Sequence, residues 1–102
     1  GDISTAVGYV NQIRTRAGAT AITATDLTLD FILAERGREL FWECHRRTDL
    51  VRFDKFTGSS KIWQWKGGVK NGTSTESYRN LMPIPSRAIQ ANPTLKQNPG
   101  YN

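Results

Sequence analysis

The sequence predicts a mainly α fold: an antiparallel helical hairpin, further short helices, an irregular Trp-containing loop and an extended C-terminal tail. Two observations carry this. Apolar residues recur at three- and four-residue steps through the first two long segments, the spacing of one helical face. After Phe56 that periodicity stops and Gly, Asn, Ser, Thr and Pro take over, a composition poorly suited to forming a core by itself. The chain therefore reads as one segment, 1–102, with a helical part at 1–56 and a loop, short helix and tail at 57–102. At 102 residues it has room for one small domain.

Residues 4–17 read as an amphipathic helix, with Ala6, Val7, Val10, Ile13 and Ala17 on one face. Ser4 or Thr5 is suited to cap its start, and Gly18 to the left-handed turn that ends a helix. Residues 19–27 make the connection. The second helix spans Thr28 to Cys44, with Thr28 as N-cap, Thr25 as the alternative, and Leu29, Ile32, Leu33, Leu40 and Cys44 on one stripe. Gly37 lies inside it at a cost of ~1 kcal/mol relative to alanine, which points to close approach by another backbone. A short amphipathic helix follows from Asp49 to Phe56. Residues 57–77 are turn chemistry, interrupted by Ile62-Trp63-Gln64-Trp65-Lys66, which has the character of a short strand or β-hairpin. Met82-Pro83-Ile84-Pro85 is extended, because proline disfavours helix in the residue before it. Ser86 caps a short helix through Gln90 that stops near Pro93, and a polar tail closes the chain at Asn102.

The net charge of +5 raises the case for an anionic partner, but the cations are scattered and no run of five appears. A small basic nucleic-acid-binding module is the alternative this supports. It requires affinity that falls steeply with salt, since neutralised phosphates release counterions. Cys44 is the only cysteine, so neither an internal disulfide nor a thiol-rich metal site is available. No stretch approaches the ~18 apolar residues of a membrane span, and the first residues carry no signal-peptide pattern.

Two constellations remain. Glu35, Glu39 and Glu43 stand four apart and form an acidic ladder, with cations close by: Arg36, Arg38, Arg46 and Arg47, and a further pair, Asp49 and Arg52. A bundle metal site would need a Glu-x-x-His unit, whereas Glu43 and His45 are two apart. The ladder therefore reads as a structural ion-pair network tying the second and third helices, with no metal and no cofactor. His45 has no nucleophile in a recognisable context, and its neighbour Cys44 points about 100° away on a helix, so no catalytic residue is assigned. The second constellation is Trp63, Trp65 and Lys66, amid Lys61 and Lys70. On a strand the two indoles share a face and form a stacking platform for sugars or bases. The competing reading is that they pin a loop without a core.

The ordered string adds a resemblance. Leu29-Asp30-Phe31-Ile32-Leu33-Ala34-Glu35-Arg36-Gly37-Arg38-Glu39-Leu40, then Glu43-Cys44-His45-Arg46-Arg47 and Asp49-Leu50-Val51-Arg52-Phe53, resembles the C-terminal signature of SusD/RagB proteins. Asn80-Leu81-Met82-Pro83-Ile84-Pro85 and Ala91-Asn92-Pro93-Thr94-Leu95-Lys96-Gln97-Asn98-Pro99-Gly100-Tyr101 resemble that family's closing motifs, and Trp65-Lys66-Gly67-Gly68 occurs in some members. Two positions depart from it: Cys44 stands where glycine is common, and Asp54 where glycine or another small residue is frequent. The resemblance implies part of a larger, tetratricopeptide-like helical protein that performs no chemistry. Such proteins are lipid-anchored at the outer-membrane surface of Bacteroidetes-type bacteria. They bind glycans or other nutrients and cover a SusC-like TonB-dependent transporter; no nucleic acid is expected. The lipid-bearing cysteine would lie upstream of Gly1, and the glutamate ladder would be scaffold, with any sugar contact falling to Trp63, Trp65 and Lys66.

Overall fold

The computed structural model describes residues 2–101. Among them it is mainly helical, with four α-helices and no strand: α1 (Ile3–Arg16), α2 (Leu29–Glu39), α3 (Arg46–Arg52) and α4 (Ser86–Ala91), plus single 3-10 turns at Lys66–Gly68 and Ser77–Asn80. Two compact units divide the chain, Gly1–Arg46 and Arg47–Asn102.

In the first unit α1 starts one residue earlier than the periodicity indicates. Its cap is Asp2 in place of Ser4 or Thr5: the carboxylate accepts the Ser4 and Thr5 backbone N–H groups at 3.2 and 3.1 Å. Asp is at least as good a cap as Ser and carries the charge that a helix N-terminus favours. These hydrogen bonds, led by the Thr5 and Ser4 hydroxyls, hold the Asp2 carboxyl down at about 2. At the other end Gly18 takes φ 70°, with Gly18 N–H donating to Thr15 and Ala19 N–H to Arg14, the paired bonds of a Schellman turn. Residues 19–27 then double back along α1. Asn11 donates to the Ile22 carbonyl and accepts from the Ile22 N–H, at 2.9 and 2.8 Å, while Arg14 donates to the Thr20 carbonyl at 2.6 Å.

Thr28 caps α2 by accepting from the Phe31 N–H at 3.0 Å. The helix ends at Glu39, five residues short of the expected Cys44. Trp42 and Cys44 adopt φ 66° and 62°, which no α-helix accommodates. The cause lies in Arg46. Its guanidinium donates to the Leu33 carbonyl at 2.8 Å across a separation of 13 residues, a span of about 20 Å had the helix continued. The chain must therefore turn back. Gly37 makes room for it: a Cβ there would sit 2.8 Å from Arg46 Nη1, so the glycine admits a side chain and not the neighbouring backbone that was expected.

α3 begins at Arg46, three residues before the predicted Asp49, and stops at Arg52. Its end repeats the α1 pattern. Asp54 takes φ 53°, its N–H donates to Val51, and Lys55 N–H donates to Leu50 at 2.7 Å. Within the second unit Arg47 donates to the Arg79 and Asn80 carbonyls at 2.7 and 3.3 Å and lies 4.8 Å over the Phe56 ring. Ser86 is the first residue of α4 and not its cap; Pro85 holds that place and the helix runs to Ala91.

The C-terminal tail is bound by side chains. Gln97 accepts from the Ile84 N–H and donates to the Ile84 carbonyl, at 2.7 and 2.9 Å. Asn98 donates to the Met82 carbonyl at 2.7 Å and the Tyr101 hydroxyl to the Leu81 carbonyl at 2.8 Å. Pro83 and Pro85 have no N–H to offer a sheet, so amide side chains satisfy the segment instead. Tyr101 also meets Tyr78 edge to face at 4.9 Å, over Gly100, where a Cβ would collide with the Tyr78 ring.

Buried apolar side chains are few. Leu33 and Leu50 are 1% and 7% exposed, and Asp49 is buried with them at 2%. Phe41 and Trp42, in the turn after α2, are 72% and 87% exposed.

Candidate functional site

The expected strand at Ile62–Lys66 is absent, and the sole β-like pairing among the described residues is a single antiparallel bridge, Gly58 with Thr75. Trp65 breaks the strand. It takes φ 67°, after which Lys66–Gly68 forms a 3-10 turn, so the period-two argument placing Trp63 and Trp65 on one strand face does not apply. Gly72 secures the loop from the far side. Its N–H donates to Val69 at 2.8 Å, and a Cβ there would collide with the Trp63 carbonyl. Trp63 and Trp65 remain 58% and 65% exposed.

Lys66 joins the indole to a polar cleft. Its half-buried ammonium donates to the Lys61 carbonyl at 2.7 Å and sits 4.8 Å from the Trp63 ring centroid, within cation–π range. The cleft beside it holds about 410 Å³ and is lined by Lys66, Gly67, Thr73, Ser74, Thr75, Glu76 and Arg79. Arg79 donates to Glu76 at 3.1 Å. That bond, with one from Tyr78, holds the Glu76 carboxyl below the usual carboxylate range, while Glu76 raises Arg79 in turn. The cleft thus offers three hydroxyls, a carboxylate–guanidinium pair and an ammonium. Sequence reasoning found Lys66 but passed over Thr73 to Arg79. The hydroxyl-rich run Thr73-Ser74-Thr75 was the available signal, indistinguishable by composition from an ordinary turn.

The acidic ladder is arranged differently. Glu35 pairs with Arg14 at 2.9 Å and with Arg38, and Glu39 pairs with Arg16. Arg14 and Arg16 come from α1 and were not among the residues singled out. Burial opposes ionisation of Glu35, but Arg38 and Arg14 outweigh it and hold the carboxyl below its ordinary value. Phe31 lies under both cations, 5.6 Å from the Arg14 and 5.7 Å from the Arg38 guanidinium carbon. Arg36 is half-buried in α2, Glu43 is exposed in the turn that follows, and Asp49 is buried in α3, whose last residue is the exposed Arg52. Arg46 and Arg47 serve backbone carbonyls, as described above. Among the described residues no three His, Cys, Asp or Glu side chains gather to hold a metal ion, and no helix is long and apolar enough to cross a membrane.

Comparison with known proteins is consistent along the chain. A family model described as the SusD family matches residues 1–101. The starch-binding protein SusD of Bacteroides thetaiotaomicron is 45% identical over 96 residues, covering 94% of this chain and 17% of that protein. A SusD-like protein of Formosa agariphila is 33% identical over 100 residues, covering 92% of this chain and 19% of that protein. The chain therefore spans less than a fifth of the length of these curated relatives.

Proposed function

The chain belongs to the SusD family, and from that premise we propose that it is the C-terminal part of a cell-surface glycan-binding lipoprotein that passes its ligand to a SusC-like TonB-dependent transporter. The protein works by binding and carries out no chemical step. A lipid anchor holds such a lipoprotein to the outer membrane. Support comes from the relative named as starch-binding, which shares 45% of its aligned residues with this chain.

Within the whole protein this segment is mainly scaffold. Glu35 and Glu39 have arginine partners, and Arg46 and Arg47 serve backbone carbonyls. The ladder and its arginines brace neighbouring segments.

Ligand contact belongs to Trp63, Trp65 and Lys66. The observation that carries this is one exposed indole with the Lys66 ammonium over its ring, the same lysine lining a hydroxyl-bearing cleft. An indole face stacks against the C–H face of a sugar ring while hydroxyls and the ammonium hydrogen-bond its rim. Affinity electrophoresis of the intact protein in a glycan-containing gel tests it. Trp63→Ala and Trp65→Ala are each expected to weaken retention about three- to tenfold, the worth of one stacking contact of ~0.5–1.5 kcal/mol. Wild-type retention in both variants removes the assignment.

A further inference from the structure

We propose that the Lys66–Arg79 cleft selects glycans bearing an anionic substituent, a carboxylate or a sulfate, over neutral ones. This rests on the glycan-binding reading above and names the substrate class of the same site.

Charge is the first argument. Residues 57–79 contain four cations, Lys61, Lys66, Lys70 and Arg79, and one acid, Glu76. Glu76 is already paired with Arg79, so the cleft keeps an uncompensated positive charge at Lys66. An ammonium has three donors. One goes to the Lys61 carbonyl, and the Trp63 ring faces the cation. No carboxylate pairs with Lys66 among the described residues. A half-buried cation without an anion carries a desolvation cost that a neutral sugar does not recover and a carboxylate or sulfate does.

The walls are the second argument. A volume of about 410 Å³ falls in the ~300–1,000 Å³ range of small-molecule sites. Thr73, Ser74 and Thr75 line it with hydroxyls that both donate and accept, as sugar hydroxyls do. Gly67, at φ 69°, lets the Lys66 turn approach Thr73, because any Cβ at position 67 would meet the Thr73 methyl. Lysine and hydroxyl wall are therefore held at close quarters, and Arg79, which lines the same cleft with its partner Glu76, keeps that one acid from neutralising Lys66.

The test is calorimetric titration of the intact protein with three oligosaccharides of equal length: a neutral glucan, one containing glucuronate and one carrying sulfate. At least one anionic ligand is expected to bind tenfold or more tightly than the neutral one, with a preference that shrinks as salt is added. Lys66→Gln keeps a donor for the Lys61 carbonyl but removes the charge, and is expected to bring the anionic-to-neutral ratio down about tenfold; Lys66→Arg is expected to retain it. Equal affinity for all three ligands, or a preference that survives in Lys66→Gln, overturns the inference and leaves glycan binding standing. Failure to bind any of the three overturns both.

Discussion

Four side chains hold backbone conformations that ordinarily call for glycine: Trp42, Cys44, Asp54 and Trp65, with φ between 53° and 67°. For an L-residue this region costs ~1–2 kcal/mol. Cys44 and Asp54 hold φ 62° and 53°, a region that glycine enters without a Cβ penalty. Asp54 ends α3 in the same hydrogen-bonded turn that Gly18 provides for α1. Restoring glycine relieves strain but adds freedom to the unfolded chain, offsetting ~0.5–1 kcal/mol. Asp54→Gly and Cys44→Gly are therefore expected to raise the urea midpoint of the intact protein modestly, while Gly18→Ala lowers the midpoint through a stability loss of ~1 kcal/mol. A lower midpoint for Asp54→Gly would contradict the strain argument. Trp42 and Trp65 carry the same strain with large exposed rings, and for Trp65 the ring is a proposed ligand contact.

At the scale of elements, α1 and α2 are joined by two ion pairs, Arg14 with Glu35 and Arg16 with Glu39. Glu35 is folded with a carboxyl held below its ordinary value of 4.5. Its contribution is fully present above that value and is lost as pH falls through the lower folded one. The stability difference between wild type and Glu35→Gln should thus be constant near neutrality and shrink below about pH 4.5. At neutral pH it should lie between the ~1 kcal/mol of an exposed pair and the ~3 kcal/mol of a buried one. A difference unchanged at pH 3 would argue against the pairing. The second joint is Gln97 on Ile84. Gln97→Ala removes two hydrogen bonds to Ile84 and a third from the Asn98 N–H, and is expected to cost ~1–3 kcal/mol. Gln97→Glu is expected to cost at least as much, because a carboxylate accepts from the Ile84 N–H but repels its carbonyl. Limited proteolysis of the tail reads both; a tail equally protected in Gln97→Glu would refute the bidentate role.

At the scale of the whole molecule, the chain has few buried apolar side chains: among the described residues these are Leu33 and Leu50. Large apolar side chains such as Phe41 and Trp42 are exposed, and in the first unit they line a cleft of about 620 Å³ with Ala34, Gly37, Leu40, Cys44 and Arg46. Expressed alone, the 102-residue chain is expected to unfold without a sharp transition and to bind the dye ANS, as chains with accessible apolar surface do. A cooperative, dye-free transition would show that the segment is a domain in its own right.

Much of this was legible from residue order. Helical periodicity located α1 and α2, Gly18 and Thr28 marked two of their ends, and Pro83 and Pro85 kept their segment extended, because such effects act within a turn or two of chain. The three separated motifs identified the family for the same reason: they are strings. What tertiary structure alone decided lies across longer separations. Arg46 reaching Leu33 cut α2 short, Arg14 supplied the partner of Glu35, Gln97 bound Ile84, and Trp65 turned its chain so that Lys66 met Thr73 and Arg79 around a cleft. Each depends on atoms brought together by the path of the backbone, and periodicity carries no information about which distant side chain will arrive.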